Sequence, residues 1–190
     1  MIQTRKDLRH YLEVEKKLYV PEDAGDRRYL WLTNNTILKI WKYQKILRKS
    51  EYWFNNRHRS PLHYLVFLMV YRHKNNVGRR LGIEMSENTF DIGLLIYHEG
   101  SVIVNGFASV GKNCRIHGAV CIGNRGIGQT DEEKTVSPTI GDNVDIGVGV
   151  SIIGDVHIAD DTKIGAGAVV VKSCNELGKT LVGVPAHPIN

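Results

Sequence analysis

Aliphatic residues recur at every sixth position through the second half of the chain, and this period restricts the possible folds more than any other feature. The series comprises Val104, Val110, Ile116, Ile122, Ile140, Ile146, Ile152, Ile158, Ile164 and Val170. A six-residue period fits neither the repeat of an α-helix nor the alternation of a β-hairpin. It is typical of a chain that forms a short strand, turns a corner and repeats, so that three hexads close one triangular coil. We therefore expect a solenoid in which the aliphatics point inward and each coil contacts only its neighbours.

Smaller residues follow the same period, four positions after most of the aliphatics. They are Ala108, Cys114, Val120, Val144, Val150, Val156, Thr162 and Ala168. These positions predict a second inward side chain in each hexad, so Cys114 is expected in the core. Glycine often follows the aliphatic, as at Gly111 and Gly141, where a corner is expected.

The period is interrupted between Ile122 and Ile140, where the register is kept but two hexads lack their aliphatic. The intervening residues 124–139 are rich in glycine and charge, so we expect a polar loop that leaves one corner of the solenoid. Loops held by a rigid scaffold commonly carry function.

His98 is a second exception, because it stands six residues before Val104, where an aliphatic is expected. Ile92, six residues earlier, is back in phase. An imidazole at a core position costs desolvation unless its ring nitrogens are satisfied. His98 is therefore either a satisfied structural histidine near an open end of the solenoid or a functional residue.

Residues 1–90 lack the period and are expected to form a small α-helical domain, followed by the solenoid domain at 91–190 with a C-terminal tail at 173–190. Helical patterns cover residues 1–20, 29–49 and 61–81, with a turn-rich break at 21–28 and an aromatic cluster at 52–54. Ser60 and Pro61 fit a helix N-terminus, and Gly82 fits its end.

The two parts differ in charge. Residues 1–91 carry 18 Lys and Arg against 10 Asp and Glu, whereas residues 92–190 carry 7 against 10. The basic side chains of the helices form either a solvated face or a surface for an anionic glycan or membrane. They include Lys39, Lys42, Lys45, Arg48, Lys49, Arg57, Arg59, Arg72, Lys74, Arg79 and Arg80. No nucleic-acid motif accompanies this charge, so nucleic acid is not an expected partner.

No apolar run approaches the ~20 residues of a membrane span, and the first residues lack the apolar stretch of a signal peptide. Three cysteines without a CxxC pair indicate neither a disulfide framework nor a zinc knuckle. We expect a cytoplasmic protein without a bound metal.

Five stretches of the solenoid carry a specific resemblance. They are His98-Glu-Gly-Ser-Val-Ile-Val-Asn-Gly, Val110-Gly-Lys-Asn-Cys-Arg-Ile-His-Gly, Ile140-Gly-Asp-Asn-Val-Asp-Ile-Gly, Ile164-Gly-Ala-Gly-Ala-Val-Val and Val182-Gly-Val-Pro-Ala. They resemble the bacterial hexapeptide-repeat acyltransferases, most closely the serine acetyltransferase-like branch. The preceding helices are similar to the short N-terminal domain of homologues encoded with capsule or exopolysaccharide genes. The resemblance implies a left-handed parallel β-helix, acetyl-CoA as co-substrate, and a homotrimer that could pair into a dimer of trimers.

The family's histidine base stands six residues before an in-phase aliphatic, as His98 does here. The resemblance therefore implies that His98 takes the proton of an acceptor hydroxyl while that oxygen attacks acetyl-CoA directly, without an acyl-enzyme. A histidine is an efficient proton acceptor near neutral pH. Glu84 and Asp91 are the nearest acids that could support it. His117, close to the position one coil above His98, either binds acceptor or is a surface histidine.

The resemblance also implies where acetyl-CoA binds. Backbone N–H groups near Gly123 or Asn124 are candidates to stabilise the oxyanion. The pantetheine arm would run along the corners Gly147-Val148 and Gly165-Ala166, and Lys172 could meet a phosphate of the nucleotide. The alternative for each glycine is that the corner simply requires it.

Departures from the serine enzymes concern the acceptor. Tyr97 stands where they have an Asp, and Val136-Ser137 stand where they have an Arg-His pair. A bound carboxylate needs charge-assisted partners, so the expected acceptor is a saccharide hydroxyl on a capsule or exopolysaccharide or its precursor. Serine, as in cysteine biosynthesis, is the alternative.

Two other classes of protein share this period. A carbonic-anhydrase type of zinc enzyme would need a third histidine where Ile122 stands. A non-catalytic scaffold or binding protein would use the basic helices as its docking face.

Overall fold

The computed structural model describes residues 1–126, 130 and 135–189. The chain divides into two compact units, Met1–Gly82 and Ile83–Asn190. Residues 83–90, assigned above to the helical part, lie in the second unit because Ile83 pairs with Val102 of that unit.

The described part of the first unit contains four helices: α1 (Arg5–Tyr19), α2 (Ala24–Leu32), α3 (Thr36–Asn56) and α4 (Pro61–Leu81). The ends of α4 follow from sequence as predicted. Ser60 Oγ accepts a hydrogen bond from the backbone N–H of His63, Pro61 occupies the first turn, and Gly82 ends the helix with a φ of 69°.

Two helix boundaries differ from the expectation. Helix α2 lies largely in the segment predicted to be a turn, because the Asp23 carboxylate accepts from the N–H groups of Gly25 and Asp26 and caps it. Helix α3 continues through the aromatic cluster to Asn56. Its Phe54 ring packs on Phe67 of α4 with a centroid distance of 5.6 Å, which favours keeping the cluster helical.

A buried ion network joins α1 to α3. The Arg48 guanidinium is fully buried and lies 2.6 Å from Glu15 and 2.9 Å from Glu51. Gln44 donates to the same Glu15 carboxylate at 3.0 Å. Burial alone would lower the pKa of Arg48, but the two carboxylates more than offset this effect and raise the pKa. Arg48 is therefore not part of the basic surface expected from the sequence, and neither is Lys74, which is also buried.

The second unit is a left-handed parallel β-helix, and the predicted fold class is confirmed. Its strands are β1 (Ile83–Glu84), β2 (Leu95–Ile96), β3 (Val102–Val104), β4 (Ser109–Val110), β5 (Arg115–Ile116), β6 (Cys121–Gly123), β7 (Thr139–Ile140), β8 (Asp145–Ile146), β9 (Ser151–Ile153), β10 (His157–Ile158), β11 (Lys163–Ile164), β12 (Val169–Val170), β13 (Thr180–Val182) and β14 (His187–Ile189). They form three sheets, ordered β1-β3-β6-β9-β12, β4-β7-β10 and β2-β5-β8-β11-β13-β14. Among the described strands, every pair is parallel except β13 with β14.

The core consists of stacked aliphatics, as the period predicted. Ile116 pairs with Ile146 and Ile146 with Ile164 across successive coils, and the first two are fully buried. The smaller inward residues are buried as well, including Cys114 and Val144. Each aliphatic removed from water contributes about 1.5–3 kcal/mol.

The register corrects the interpretation of His98. Ile96, not His98, pairs with Ile116 and fills the core, and His98 is exposed. Phe90, not Ile92, occupies the preceding inward position and bridges to Val110. Two extra residues therefore lie between Ile96 and the next strand. The six-residue period is displaced by two positions there, and no inward position lacks its aliphatic residue.

The segment after Ile122 is also an insertion. Val110 pairs directly with Ile140, so these two residues belong to successive coils of the stack. The pairing of Val110 with Ile140 is compatible with the prediction that the chain leaves the coil at the corner after β6. Residues 127–129 and 131–134 of the predicted loop lie outside the described residues.

One corner is stabilised by a side-chain ladder. Asn113, Asn143 and Asp161 adopt φ values of 56°, 59° and 60°, a left-handed conformation that Asn and Asp tolerate better than most residues. The Asn113 amide donates to Asn143 at 2.9 Å, and the Asn143 amide donates to Asp161 at 3.0 Å. The ladder satisfies amide groups in each coil with partners in the next.

Replacing Arg48 by Met should destabilise the helical unit, because Glu15 and Glu51 would remain buried without a counter-charge. We expect a loss of about 3–5 kcal/mol. Denaturant unfolding followed by tryptophan fluorescence measures it, since all three tryptophans lie in this unit. Lys49→Met, at the exposed next position of α3, should change stability by less than about 0.5 kcal/mol. Equal effects of the two substitutions would contradict the role of the network.

Candidate active site

His98 lies at the corner that follows β2, with its side chain exposed. Gly118 is its neighbour in the next coil: a Cβ built on Gly118 would lie 3.5 Å from the Cβ of His98. Gly118 has a φ of 123°, a conformation that other residues rarely adopt. The glycine therefore leaves the imidazole uncovered on the side of the next coil.

The same corner continues through the following coils. Val148 and Ala166 stand two residues after the stacked Ile146 and Ile164, just as His98 stands after Ile96, and both are exposed. Backbone bonds tie these corners together, since Gly149 N–H donates to Gly118 O and Gly167 N–H donates to Val148 O. The structure thus aligns His98 with two of the residues expected to contact acetyl-CoA.

Gly147 and Gly165 lie one residue earlier on these coils, below the same corner. A Cβ at Gly147 would lie 2.8 Å from the backbone nitrogen of Ala166, and a Cβ at Gly165 would lie 2.9 Å from Val182. The close approach of the next coil is sufficient to require both glycines, whatever they bind.

His117 follows Ile116 and stacks on Tyr97 of the coil before it. The two rings are 4.5 Å apart and inclined by 20°. His117 Nε2 lies 2.8 Å from Asp145 Oδ1 in the coil after it, and the two side chains are 35% and 32% exposed. Because two residues are inserted after Ile96, His117 stands above Tyr97 and Gly118 stands above His98. Neither Asp145 nor its contact with His117 was predicted from sequence, since the six-residue period says nothing about partners in other coils.

A different corner of the coil carries the other predicted residues. Gly123 ends β6 and Asn124 follows it, and Lys172 comes two residues after β12. Gly118 and Gly123 stand at the two ends of the side of the coil that contains β6, five residues apart, which is at most roughly 16 Å at about 3.3 Å per residue. Within one chain, therefore, the residues expected to stabilise the oxyanion do not lie beside His98. Lys172 lines a cleft of about 710 Å³ at the end of the prism, together with Glu176 and His187.

The acids predicted to support His98 lie on other parts of the coil. Glu84 is on β1, in the sheet that also contains β3. Asp91 is at the corner before β2, where its carboxylate accepts from the N–H of Ile92 at 2.7 Å. His157 is exposed on β10, outside this corner.

The cysteines differ in burial. Cys114 is fully buried, and burial, with a smaller effect from the charge of Asp145, raises the pKa of its thiol. A thiol held protonated in this way is a poor nucleophile. Cys121 is partly exposed on β6, away from the corner of His98.

Among the described residues, no three His, Cys, Asp or Glu side chains are arranged to hold a metal ion. The helices in the described part of the chain include none that is long and apolar enough to cross a membrane.

The stacked triangular coils and their corner of small residues define a class of fold: the left-handed parallel β-helix built from hexapeptide repeats. Within that class the chain is similar to serine acetyltransferases. It is 33% identical over 97 residues to the enzyme of Synechococcus elongatus and 36% identical over 96 residues to that of Mycobacterium tuberculosis. These matches cover 51% and 50% of this chain but 38% and 40% of the relatives, so the chain matches less than half the length of either.

Solved structures show a likeness that extends over nearly the whole chain. The serine acetyltransferase of Neisseria gonorrhoeae superposes with a TM-score of 0.71 and 26% identity, over 98% of this chain and 68% of that one. The soybean apoenzyme gives a TM-score of 0.73 and 26% identity, over 97% and 69%. A Brucella abortus serine acetyltransferase solved with coenzyme A shares the fold, with a TM-score of 0.73 at 23% identity. No protein-family model matches the chain.

Proposed function

We propose that this chain is an acetyl-CoA-dependent O-acetyltransferase with His98 as its general base. The observation that carries the proposal is the placement of His98: an exposed imidazole beside Gly118, at a corner whose next coils present only small or aliphatic side chains. The similarity of the β-helix to serine acetyltransferases supports the same activity.

Acetyl-CoA, as co-substrate, supplies the thioester carbonyl that is attacked. His98 accepts the proton of the acceptor hydroxyl as the oxygen bonds to that carbonyl carbon, because a neutral hydroxyl is a poor nucleophile. When the carbon–sulfur bond breaks, the imidazolium returns the proton to the departing sulfur. Val148 and Ala166 at the same corner would leave room for the extended pantetheine arm. Cys121 has no part in this scheme, since no acyl-enzyme forms.

The acceptor best supported is the hydroxyl of serine. The curated relatives and the solved structures above are serine acetyltransferases, so the comparisons favour this alternative over the saccharide acceptor expected from the sequence. A saccharide is the second candidate, because Tyr97 and Val136-Ser137 stand where the serine enzymes are expected to hold the amino acid with charged residues.

We also propose a homotrimer. The oxyanion candidates Gly123 and Asn124 are too far along the coil to serve His98 of the same chain, so a complete site would need a second subunit. Apolar side chains on the exposed face of α4 also need cover, among them Leu62, Leu65 and Met69. Pairing of trimers into larger assemblies would cover this surface.

Replacing His98 by Ala should lower kcat by about 10²–10⁴-fold, the usual contribution of a positioned general base. CoA release with the best acceptor measures it. His157→Ala removes an exposed imidazole elsewhere on the prism and should leave the rate unchanged. Full turnover by the His98 variant, with acetyl-CoA bound normally, would refute the assignment.

Serine should support CoA release by the wild-type protein in an acceptor screen that includes mono- and oligosaccharides. Mass spectrometry of the product should find one acetyl group on the serine oxygen. Turnover with a saccharide and none with serine would instead support the second candidate. Absence of acceptor-dependent CoA release from every class would favour a non-catalytic scaffold.

Sedimentation velocity should give a particle of three chains of 21.4 kDa, or a multiple of three, at micromolar concentration. A stable monomer that still catalyses the reaction would contradict a site shared between subunits.

A further inference from the structure

Three polar side chains meet on the outer surface of the sheet that leads to His98. Tyr97 directly precedes His98, His117 stacks on Tyr97 at 4.5 Å, and Asp145 holds His117 at 2.8 Å. They come from β-coils that follow one another in the stack, so the rigid register of the prism fixes their spacing. We call this cluster the Tyr97–His117–Asp145 group.

Each member has an unused polar atom. His117 Nε2 and Asp145 Oδ1 are bonded to each other. The polar atoms that remain available for a ligand are His117 Nδ1, Asp145 Oδ2 and the hydroxyl of Tyr97. None of these three atoms has a hydrogen-bond partner within the described residues. The pair is about one-third exposed, and ion pairs of such exposure contribute only about 0–1 kcal/mol to folding. Stability is therefore a weak reason for this arrangement, and the side chains of His117 and Asp145 remain partly open to a ligand.

The charges of the group suit an amino acid. A carboxylate prefers charge-assisted hydrogen bonds, which are roughly twice as strong as neutral ones, so Asp145 Oδ2 is a natural acceptor for an ammonium group. Tyr97 O–H is a donor for a carboxylate, and the protonated form of His117 adds a second donor at Nδ1. A zwitterion carries both of the charges that these groups complement.

We propose that the Tyr97–His117–Asp145 group is the acceptor subsite, and that it binds the ammonium and carboxylate groups of a free hydroxy amino acid with the hydroxyl directed to His98. This inference rests on the proposed function. It also removes the main objection to serine, because charged groups missing at Tyr97 and at Val136-Ser137 would be supplied by neighbouring coils instead.

The test is the effect of Asp145→Asn on three acceptors, measured by CoA release. Serine has both charged groups, ethanolamine lacks the carboxylate, and 3-hydroxypropionate lacks the ammonium. We expect kcat/KM to fall about 10- to 100-fold for serine and ethanolamine, because each loses a bond to a charged group. The fall should be much smaller for 3-hydroxypropionate, which has no ammonium group and is affected only through His117. The KM for acetyl-CoA should not move.

Asp155→Asn is the matched control, since Asp155 is an exposed acid on the same prism outside the group. It should leave all three acceptors unaffected. A uniform loss for all three acceptors with Asp145→Asn, or a lower Tm with weaker CoA binding, would mean that Asp145 is only structural and would overturn the subsite.

Failure of the subsite can be distinguished from failure of the proposed function. If the wild-type protein acetylates serine and Asp145→Asn does so equally well, the subsite is wrong and the activity stands. If the wild-type protein acetylates a saccharide but not serine, both the serine acceptor and the subsite are wrong.

Discussion

The structure of the second unit depends on one constraint: each inward aliphatic must lie directly above its counterpart in the coil below. Ile96, Ile116, Ile146 and Ile164 form such a column, and every other feature takes its position from it. A slip of one residue would turn these side chains to solvent and bring polar ones inside. Because exposing these aliphatics would cost much free energy, the register of the coils is fixed. The side chains at the corners are therefore held at fixed separations, as a binding site requires.

Much of the fold could be predicted because a solenoid repeats one environment many times, so that the same residue type recurs. The position of His98 could not be predicted in the same way. A histidine six residues before Val104 is compatible with a replaced aliphatic and with a two-residue insertion, and only the pairing of Ile96 with Ile116 distinguishes them. The insertion makes better physical sense, since it leaves the imidazole in solvent without a desolvation cost.

Interactions between residues far apart in sequence were also beyond prediction. Arg48 looked like one of many basic residues on a helix, but Glu15, 33 positions earlier, draws it into the interior. Likewise His117 could be identified as a candidate, whereas its partner Asp145 lies 28 residues further on. In both cases the role of a charged group depends on a complementary partner distant in sequence, and such partners leave no periodic signal.

Two departures from the six-residue period occur at corners, one beside His98 and the other after Ile122, and the columns resume unchanged beyond each. A corner can therefore gain residues while the stacked columns keep their register. The residues that contact substrate are therefore separate from the residues that stabilise the coil. The chain length at a corner can change during evolution without loss of packing in the core. A scaffold with that property can acquire a new acceptor through small changes in length, long before any strand has to change.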